Sequence, residues 1–506
     1  MTVDPTSTGT GTASVDDDLS GAMKKGLKWS FINMAVGRAA SILSGIVLAR
    51  ILVPEDYGVY APALALVNIL FGLNDLGLLL ALVRWKGDLR EAARTAQTIT
   101  MGFSGLLYAG CFVAAPWFAR TMGSPDSAAV LRVLALTVFI DGITTVAHGL
   151  LVRDFRQDRF AKAEFTALPI GIGISIGLAV AGAGVWSLAI GQLAANVVSG
   201  VMLFRAAPFR VGLAFSWPVA RPMLAYGLPL AGTSLVEYSL LNADYLIVSR
   251  ALDPAAVGIY LLAYNVANWP ISIITDAVRR VSIAGFARLE DEKESLSRGF
   301  SRAFSGLMSL AFPILVAMGV LAFPLVTLTY GDQWTESAPV LELLIVLSGA
   351  RMAIGFIFDL LVGLGRTRTT LLLKCVWLVF LVIALEIGVR TGELRGVAMG
   401  HAIVSCVVAL PLFLWAAARA GADLRDVARR LARPLIGLVV ALALGLTVRD
   451  HLGGRFTTLV LGGVTVLLAY LAVALRPTDI TAAREWWRDR RKAAVQLTGS
   501  GGEEPR

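Results

Sequence analysis

Charge is what this sequence has least of. Only 16% of its 506 residues are Asp, Glu, Lys or Arg, while 56% are hydrophobic, and apolar runs recur along the whole length instead of alternating with polar ones. No stretch resembles a soluble domain, so the composition predicts a polytopic membrane protein whose backbone polar groups are satisfied inside membrane-crossing helices. Cysteine is rare, and Cys111, Cys375 and Cys406 all fall inside predicted spans. A disulfide framework is thereby excluded, and the three are expected to act as small apolar side chains. No Gly-Lys dipeptide occurs, so there is no Walker A loop and no resident ATPase; neither a cofactor nor a metal is expected. The outer turns are short, the first being only residues 53–56, which excludes the extracytoplasmic catalytic loop of a membrane glycosyltransferase or polymerase and predicts a non-enzyme.

What is present is an internal duplication. RILVPEDYGVYAPALALVN (Arg50 to Asn68) aligns without gaps on RALDPAAVGIYLLAYNVAN (Arg250 to Asn268), at an offset of 200 residues. Arg50/Arg250, Leu52/Leu252, Pro54/Pro254, Gly58/Gly258, Tyr60/Tyr260, Ala63/Ala263 and Asn68/Asn268 are identical pairs. In each copy an apolar helix runs into an Arg, a Pro-containing turn follows, and a second helix opens at Gly-x-Tyr, which predicts a tight hairpin at a membrane surface. Pro54, Gly58, Pro254 and Gly258 are therefore expected at gate or hinge turns; shaping by packing alone is the alternative.

Counting apolar runs gives fourteen spans. They fall near 27–52, 57–83, 95–118, 127–151, 163–183 and 185–205, then near 222–250, 256–278, 303–329, 337–364, 369–389 and 396–418, with two more near 434–448 and 456–475. The predicted organisation is a cytoplasmic tail with a basic flank (1–26), an N-terminal six-helix half (27–205), a C-terminal six-helix half (206–419), two accessory helices (420–475) and a basic amphipathic tail (476–506). LeuLeuVal at 150–152 and at 360–362 ends the fourth span of each half, and Gly184-Val185 and Gly396-Val397 each open the sixth. The segment Arg279 to Arg302 reads as a surface helix, and Thr478 to Leu497, with Trp486 and Trp487 among basic residues, reads as a helix on an anionic leaflet or a disordered tail.

Of the 45 Lys and Arg residues, eight fall in outer turns (Arg50, Arg120, Arg132, Arg250, Arg390, Arg395, Arg449 and Arg455) and two, Arg38 and Arg351, inside spans. The rest cluster on the other side, which places both termini in the cytoplasm. Six spans per repeat is an even number. The two halves are thus expected to be parallel, related by an axis along the membrane normal, and to flank a central cavity that alternates between the two faces.

An Arg at mid-span costs about 2.5 to 3.5 kcal/mol on insertion scales, so Arg38 and Arg351 need a partner or a wet cavity. Guanidinium suits an anionic headgroup because it keeps its proton and offers paired donors; an internal ion pair is the alternative. Along span seven, Glu237, Leu241 and Asp244 share one helical face, with Tyr238, Asn242 and Tyr245 on the adjacent one, a polar stripe suited to water and sugar hydroxyls. Arg38, Arg351, Glu237, Asn242 and Asp244 are the expected substrate-binding residues. Asp359 and Glu386 are further carboxylates at membrane depth, while Asp75, Asp141 and Asp276, nearer span ends, suit interfacial solvation or pairing. His148 and His401 have the titration range of a proton relay, but a lone intramembrane His also serves as a packing residue.

Several stretches together resemble the polysaccharide and oligosaccharide flippase (Wzx-like) branch of the multidrug/oligosaccharidyl-lipid/polysaccharide exporter superfamily. They are LARILVPEDYGVY (Leu48 to Tyr60), NDLGLLLAL (Asn74 to Leu82), NADYLIVSRALDPAAVGIYLLAY (Asn242 to Tyr264), YGDQW (Tyr330 to Trp334) and LGRT (Leu364 to Thr367). The resemblance implies an all-α, MATE-like bundle of two six-helix repeats plus two accessory helices in the cell membrane. It implies a flippase that moves a polyprenyl-pyrophosphate-linked oligosaccharide from the cytoplasmic to the outer leaflet for cell-surface polysaccharide biosynthesis. Expected partners are that glycolipid, membrane lipids, and the polymerase and glycosyltransferases of the pathway, with no nucleic acid. A drug/cation antiporter of the same superfamily is the alternative; a basic lumen argues against it.

Overall fold

The computed structural model describes residues 37–209, 212–272, 274, 286 and 293–474. The N-terminal tail, most of the segment after residue 274 with Asp276, and the basic C-terminal tail lie outside the described residues. Among the described residues the secondary structure is all helical. The chain forms two compact units, Met1–Leu261 and Leu262–Arg506.

The first unit holds helix α1 (37–51), α2 (Pro54–Asn74), α3 (Leu78–Val83), α4 (Leu89–Thr121), α5 (Ser127–Arg153), α6 (Gln157–Val180), α7 (Val185–Ala206), α8 (Trp217–Ala251) and the start of α9 (Pro254–Ala267). Each start follows from local chemistry. Pro54 occupies the first turn of α2, where its missing N–H costs nothing, and the Asp56 carboxylate accepts the Val53 N–H at 3.3 Å. Asp88 caps α4 by accepting the Arg90 N–H at 2.8 Å. The helix pairs α6/α7 and α4/α5 pack along their lengths, and α2 packs on both α5 and α8.

Helices α2 and α8 run antiparallel, and where the starts of α2 and α9 meet, small residues set how closely they approach. A Cβ on Gly58 would overlap the carbonyl of Pro254, and one on Gly258 would overlap the carbonyl of Pro54. The two copies of the duplicated turn therefore cross each other reciprocally, each glycine under the other copy's proline. Chain geometry is also repeated: residues 51–54 and 251–254 show the same helix-end, bend and helix-start pattern. Further along, Asn68 donates to the Asn242 Oδ1 at 3.1 Å, the Tyr238 ring lies against Gly72, and Gly77 meets the backbone of Gly227.

The second unit holds the rest of α9, then α10 (Lys293–Val320), α11 (Ala322–Tyr330), α12 (Ser337–Gly363), α13 (Thr367–Ile403), a π-helical segment (Val404–Ala409), α14 (Leu410–Arg419), α15 (Leu424–His451) and α16 (Arg455–Ala474). Within α13 the chain turns back at Gly392 and Glu393, whose backbone is non-helical, and Gly388 and Gly396 then lie backbone to backbone. The long run is thus two spans joined by a hairpin. Helices α15 and α16 pack on each other and on α10. An apolar cavity of about 780 Å³ separates α15 from α10 and α12, with Leu424 and Val427 among its lining residues and the Arg449–Glu342 ion pair (3.3 Å) bordering it.

Ten helices among the described residues are long and apolar enough to cross a membrane. Every predicted span that the described residues cover has a helix at its place.

Candidate functional site

In the second unit the intramembrane arginine is held in a polar frame. Arg351 sits at the middle of α12, half-buried, and its Nη1 donates to the Tyr264 hydroxyl at 2.7 Å and to the Asn268 Oδ1 at 3.0 Å. The guanidinium carbon also lies 5.5 Å from the Tyr264 ring centroid, a cation–π distance. Tyr264 and Asn268 are four residues apart and so share a face at the end of α9. On its other flank Tyr264 stacks on His401 of α13, with 6.3 Å between centroids and 30° between planes. His401 is 1% exposed, and the π-helical segment begins three residues later. One helix wider than usual is often tolerated where a site must be shaped. The neighbouring Ser348 hydroxyl donates to the Ala267 carbonyl at 2.6 Å, fastening α12 to α9 just beside this frame. The arrangement fixes one edge of the guanidinium with neutral acceptors, so the positive charge is retained for an anion.

In the first unit the predicted stripe on α8 separates into two roles. Asp244 is 0% exposed; its Oδ2 accepts the Tyr260 hydroxyl at 3.0 Å and its Oδ1 accepts the Tyr245 N–H at 3.0 Å. Asn242, 4% exposed, accepts from Asn68 and donates to the Tyr238 carbonyl at 2.8 Å. Both side chains are taken up by helix packing. Glu237, one turn away, is half-buried. Arg38 is exposed on α1, next to Gly37, which faces Phe165 and Leu168 of α6. The geometry thus separates Arg38, Arg351 and Glu237, which keep accessible surface, from Asn242 and Asp244, which do not.

Other residues singled out in the sequence have local partners. His148 stacks on Phe160 at 4.2 Å, a packing contact. Glu386 pairs with Arg390 at 2.6 Å. Asp75 accepts the Gly77 N–H at 2.7 Å, and Asp141 accepts from the Asn74 Nδ2 at 2.8 Å. Lys374, which the charge count groups with the cytoplasmic basic residues, is buried in α13 with its ammonium 3.8 Å from the Phe358 ring centroid. Tyr264 and the Asn74–Asp141 pair were not read from sequence as site residues. Asn268 carried a signal, since it is one of the seven repeat identities, but nothing in the sequence says that Arg351 would reach it.

Comparison with known proteins fixes the lineage. Residues 47–339 match the family described as polysaccharide biosynthesis protein. The chain belongs to that family. Among its relatives, the lipopolysaccharide biosynthesis protein WzxC of Escherichia coli (strain K12) is 25% identical over 438 residues, which cover 84% of this chain and 88% of the relative. The succinoglycan biosynthesis transport protein ExoT of Rhizobium meliloti (strain 1021) is 25% identical, over 86% and 88% of the two chains. Among solved structures, the lipid II flippase MurJ in an inward closed conformation superposes with a TM-score of 0.72 at 14% identity, covering 88% of this chain and 97% of that one. An inward-facing multidrug resistance MATE family transporter of the MOP superfamily gives 0.61 at 21% identity, over 76% and 94%. At such identities these two likenesses establish the fold, an all-α MATE-like membrane bundle, and the fold alone.

Proposed function

We propose that this polysaccharide biosynthesis family member is a flippase. It carries a polyprenyl-pyrophosphate-linked oligosaccharide from the cytoplasmic to the outer leaflet by alternating access, with both termini in the cytoplasm. The observation that carries the reading is the frame around Arg351: a fixed, half-accessible guanidinium at mid-span, held by neutral acceptors. A pyrophosphate entering the bilayer requires cations that cannot lose their protons, and a guanidinium oriented by Tyr264 and Asn268 presents its remaining donors without first having to be ordered. Arg38 supplies the second cation and Glu237 contacts sugar hydroxyls; Asn242 and Asp244 hold the helix that presents Glu237. The polyprenyl tail stays in the lipid while the headgroup crosses, because enclosing so long an apolar chain gains nothing over leaving it in the bilayer.

The drug/cation antiporter reading shares the fold but fits less well. Two relatives that cover most of this chain are named for lipopolysaccharide and succinoglycan biosynthesis, and an arginine whose hydrogen-bond partners Tyr264 and Asn268 are neutral repels a cationic drug. The pathway's polymerase and glycosyltransferases are the proposed functional partners.

The test is complementation of a flippase-deficient strain that makes the cognate glycan, with membrane abundance of each variant measured in parallel. Arg351→Lys keeps the charge and loses the paired donors, so export falls; Arg351→Ala falls further, on the order of the 10- to 100-fold expected when a charge-assisted contact worth about 1.5 to 3 kcal/mol is lost. Full export by the Arg38→Ala, Arg351→Ala double variant at normal abundance removes the arginines from the mechanism.

A further inference from the structure

Helix α15 does not seat flush on the rest of the second unit. The apolar cavity of about 780 Å³ lies between it and the faces of α10 and α12, and Cys406 of the π-helical segment and Leu410 of α14 also line it. A protein interior rarely keeps a void of this size, because the atoms around it forfeit their dispersion contacts. Water is a poor occupant. A buried water needs several polar partners, and apart from Glu342 and Arg449 no lining residue has a polar side chain. The space suits an apolar chain, in a molecule that lies among lipids.

The lining follows α15 from Leu424 to Arg449, about 37 Å along the axis, close to the thickness of a bilayer. Its two ends differ in charge. At the far end Arg449 is taken up by Glu342 and Asp450, both at 3.3 Å. At the near end the first turns of α15 carry Arg425, Arg429, Arg430 and Arg433 against Asp423 and Asp426. Asp423 caps the helix by accepting the Arg425 N–H at 2.8 Å, and Asp426 pairs with Arg430 at 2.8 Å. Arg425 and Arg429 are exposed and make no ion pair among the described residues. They stand four apart, each directly after a lining residue, Leu424 and Ala428, and so share the helix face that borders the cavity.

A basic edge alone does not define a site. The independent observation is Ser305 of α10, which is 7% exposed and whose hydroxyl has no hydrogen-bond partner. A helical serine ordinarily donates to the carbonyl four residues back, as Ser309 does to Ser305 at 2.6 Å. Ser301, whose hydroxyl donates to the Asp423 carbonyl at 3.4 Å, marks the face that α10 turns to the start of α15. Ser305 is one turn further along that same face, next to the lining residue Phe304. A buried, unused donor therefore stands about 5 Å deeper than the start of α15, where the ester groups of a phospholipid lie beneath its phosphate.

We propose that this end of the cavity binds an anionic phospholipid of the adjacent leaflet. One acyl chain lies along α15, the phosphate pairs with Arg425 and Arg429, and the Ser305 hydroxyl donates to an ester carbonyl. The lipid thereby forms part of the seam that joins α15 and α16 to α10. The tail of the transported substrate is the rival occupant. It fits less well, because Arg351, the proposed headgroup contact, is not among the lining residues, whereas Arg425 and Arg429 stay at one height at the end of the helix. The assignment stands apart from the flippase reading, since no glycan enters its test.

The experiment uses the full chain purified in detergent, with bound lipid counted by native mass spectrometry and thermal unfolding followed alongside. The probes are dioleoyl phosphatidylglycerol, dioleoyl phosphatidylcholine and a long-chain polyprenyl phosphate. One phosphatidylglycerol per chain is expected to bind saturably and to raise the unfolding temperature, with phosphatidylcholine about tenfold weaker. Arg425→Gln and Arg429→Gln together weaken phosphatidylglycerol by about 10- to 30-fold and leave phosphatidylcholine unchanged. Ser305→Ala weakens both lipids, Ala428→Phe fills the mouth and removes both, and Lys162→Gln on α6 in the first unit alters neither. Should these variants not fold, a phosphatidylglycerol with a photoreactive acyl chain decides the matter on wild-type protein, by labelling α10 near Phe304 and α15 near Leu431. Equal binding of the two phospholipids, undiminished binding in the double Arg variant, or labelling confined to other helices overturns the assignment. Displacement of phosphatidylglycerol by an equimolar amount of the polyprenyl phosphate also overturns it, and gives the cavity to the substrate tail.

Discussion

Arg351 and Asp244 show how differently two mid-span charges can be handled in one chain. Arg351 keeps accessible surface and is steadied by neutral groups, whereas Asp244 is fully enclosed with its oxygens occupied by Tyr260 and a backbone N–H. The sequence placed both at membrane depth. It could not separate them, because helical periodicity says which residues share a face and not what stands opposite that face. A stability difference follows. Tyr260→Phe removes a charge-assisted hydrogen bond to a buried carboxylate and is expected to lower stability by about 1 to 3 kcal/mol, with glycan export per folded molecule unchanged. Thermal unfolding of the purified variant beside an export assay normalised to abundance checks both halves; a Tyr260→Phe protein of wild-type stability would mean that this contact does not anchor α8.

At the level of helices and turns, most of the pattern was legible. The apolar runs located the spans, and the 200-residue offset located the two turns, because a Pro opening a helix and a Gly permitting close approach are requirements of single positions that the chain states in its own letters. The reciprocal burial of Gly58 under Pro254 and Gly258 under Pro54 is what those letters are for. Three features were not legible. The break at residues 75–77 falls inside a stretch read as one span, where Asn74, Asp75 and Gly77 alone mark it, the π-helical segment Val404–Ala409 has no compositional marker, and the Asn74–Asp141 pair joins residues 67 apart in sequence. All three depend on tertiary contacts that override local preference. The crossing itself gives a paired prediction. Gly58→Ala and Gly258→Ala each force backbone apart and are expected to cost about 1 to 3 kcal/mol or more, seen as reduced membrane abundance. Gly45→Ala, on α1 where a Cβ would meet nothing within 4 Å, is expected to be neutral or slightly favourable. Equal abundance of all three variants would contradict the crossing.

On the scale of the whole molecule, the chain joins a scarcity of charge to a few charges kept at depth, and each of those needs a reason to be there. A fixed guanidinium suits an anionic headgroup, and the duplicated halves suit alternating access. The central claim is translocation of a lipid-linked glycan, and reconstitution tests it most directly. Purified protein is placed in vesicles carrying a polyprenyl-pyrophosphate-linked oligosaccharide in both leaflets, and a membrane-impermeant glycosidase is added outside. Without translocation only about half of the glycan, the share in the outer leaflet, is cleaved at an early plateau. The account predicts that wild-type protein carries cleavage towards completion and that Arg351→Ala at equal density stays near the plateau of empty vesicles. Correctly folded wild-type protein that leaves the plateau unchanged under sodium and proton gradients of either direction, yet exchanges a cationic drug across the same membrane, would contradict it.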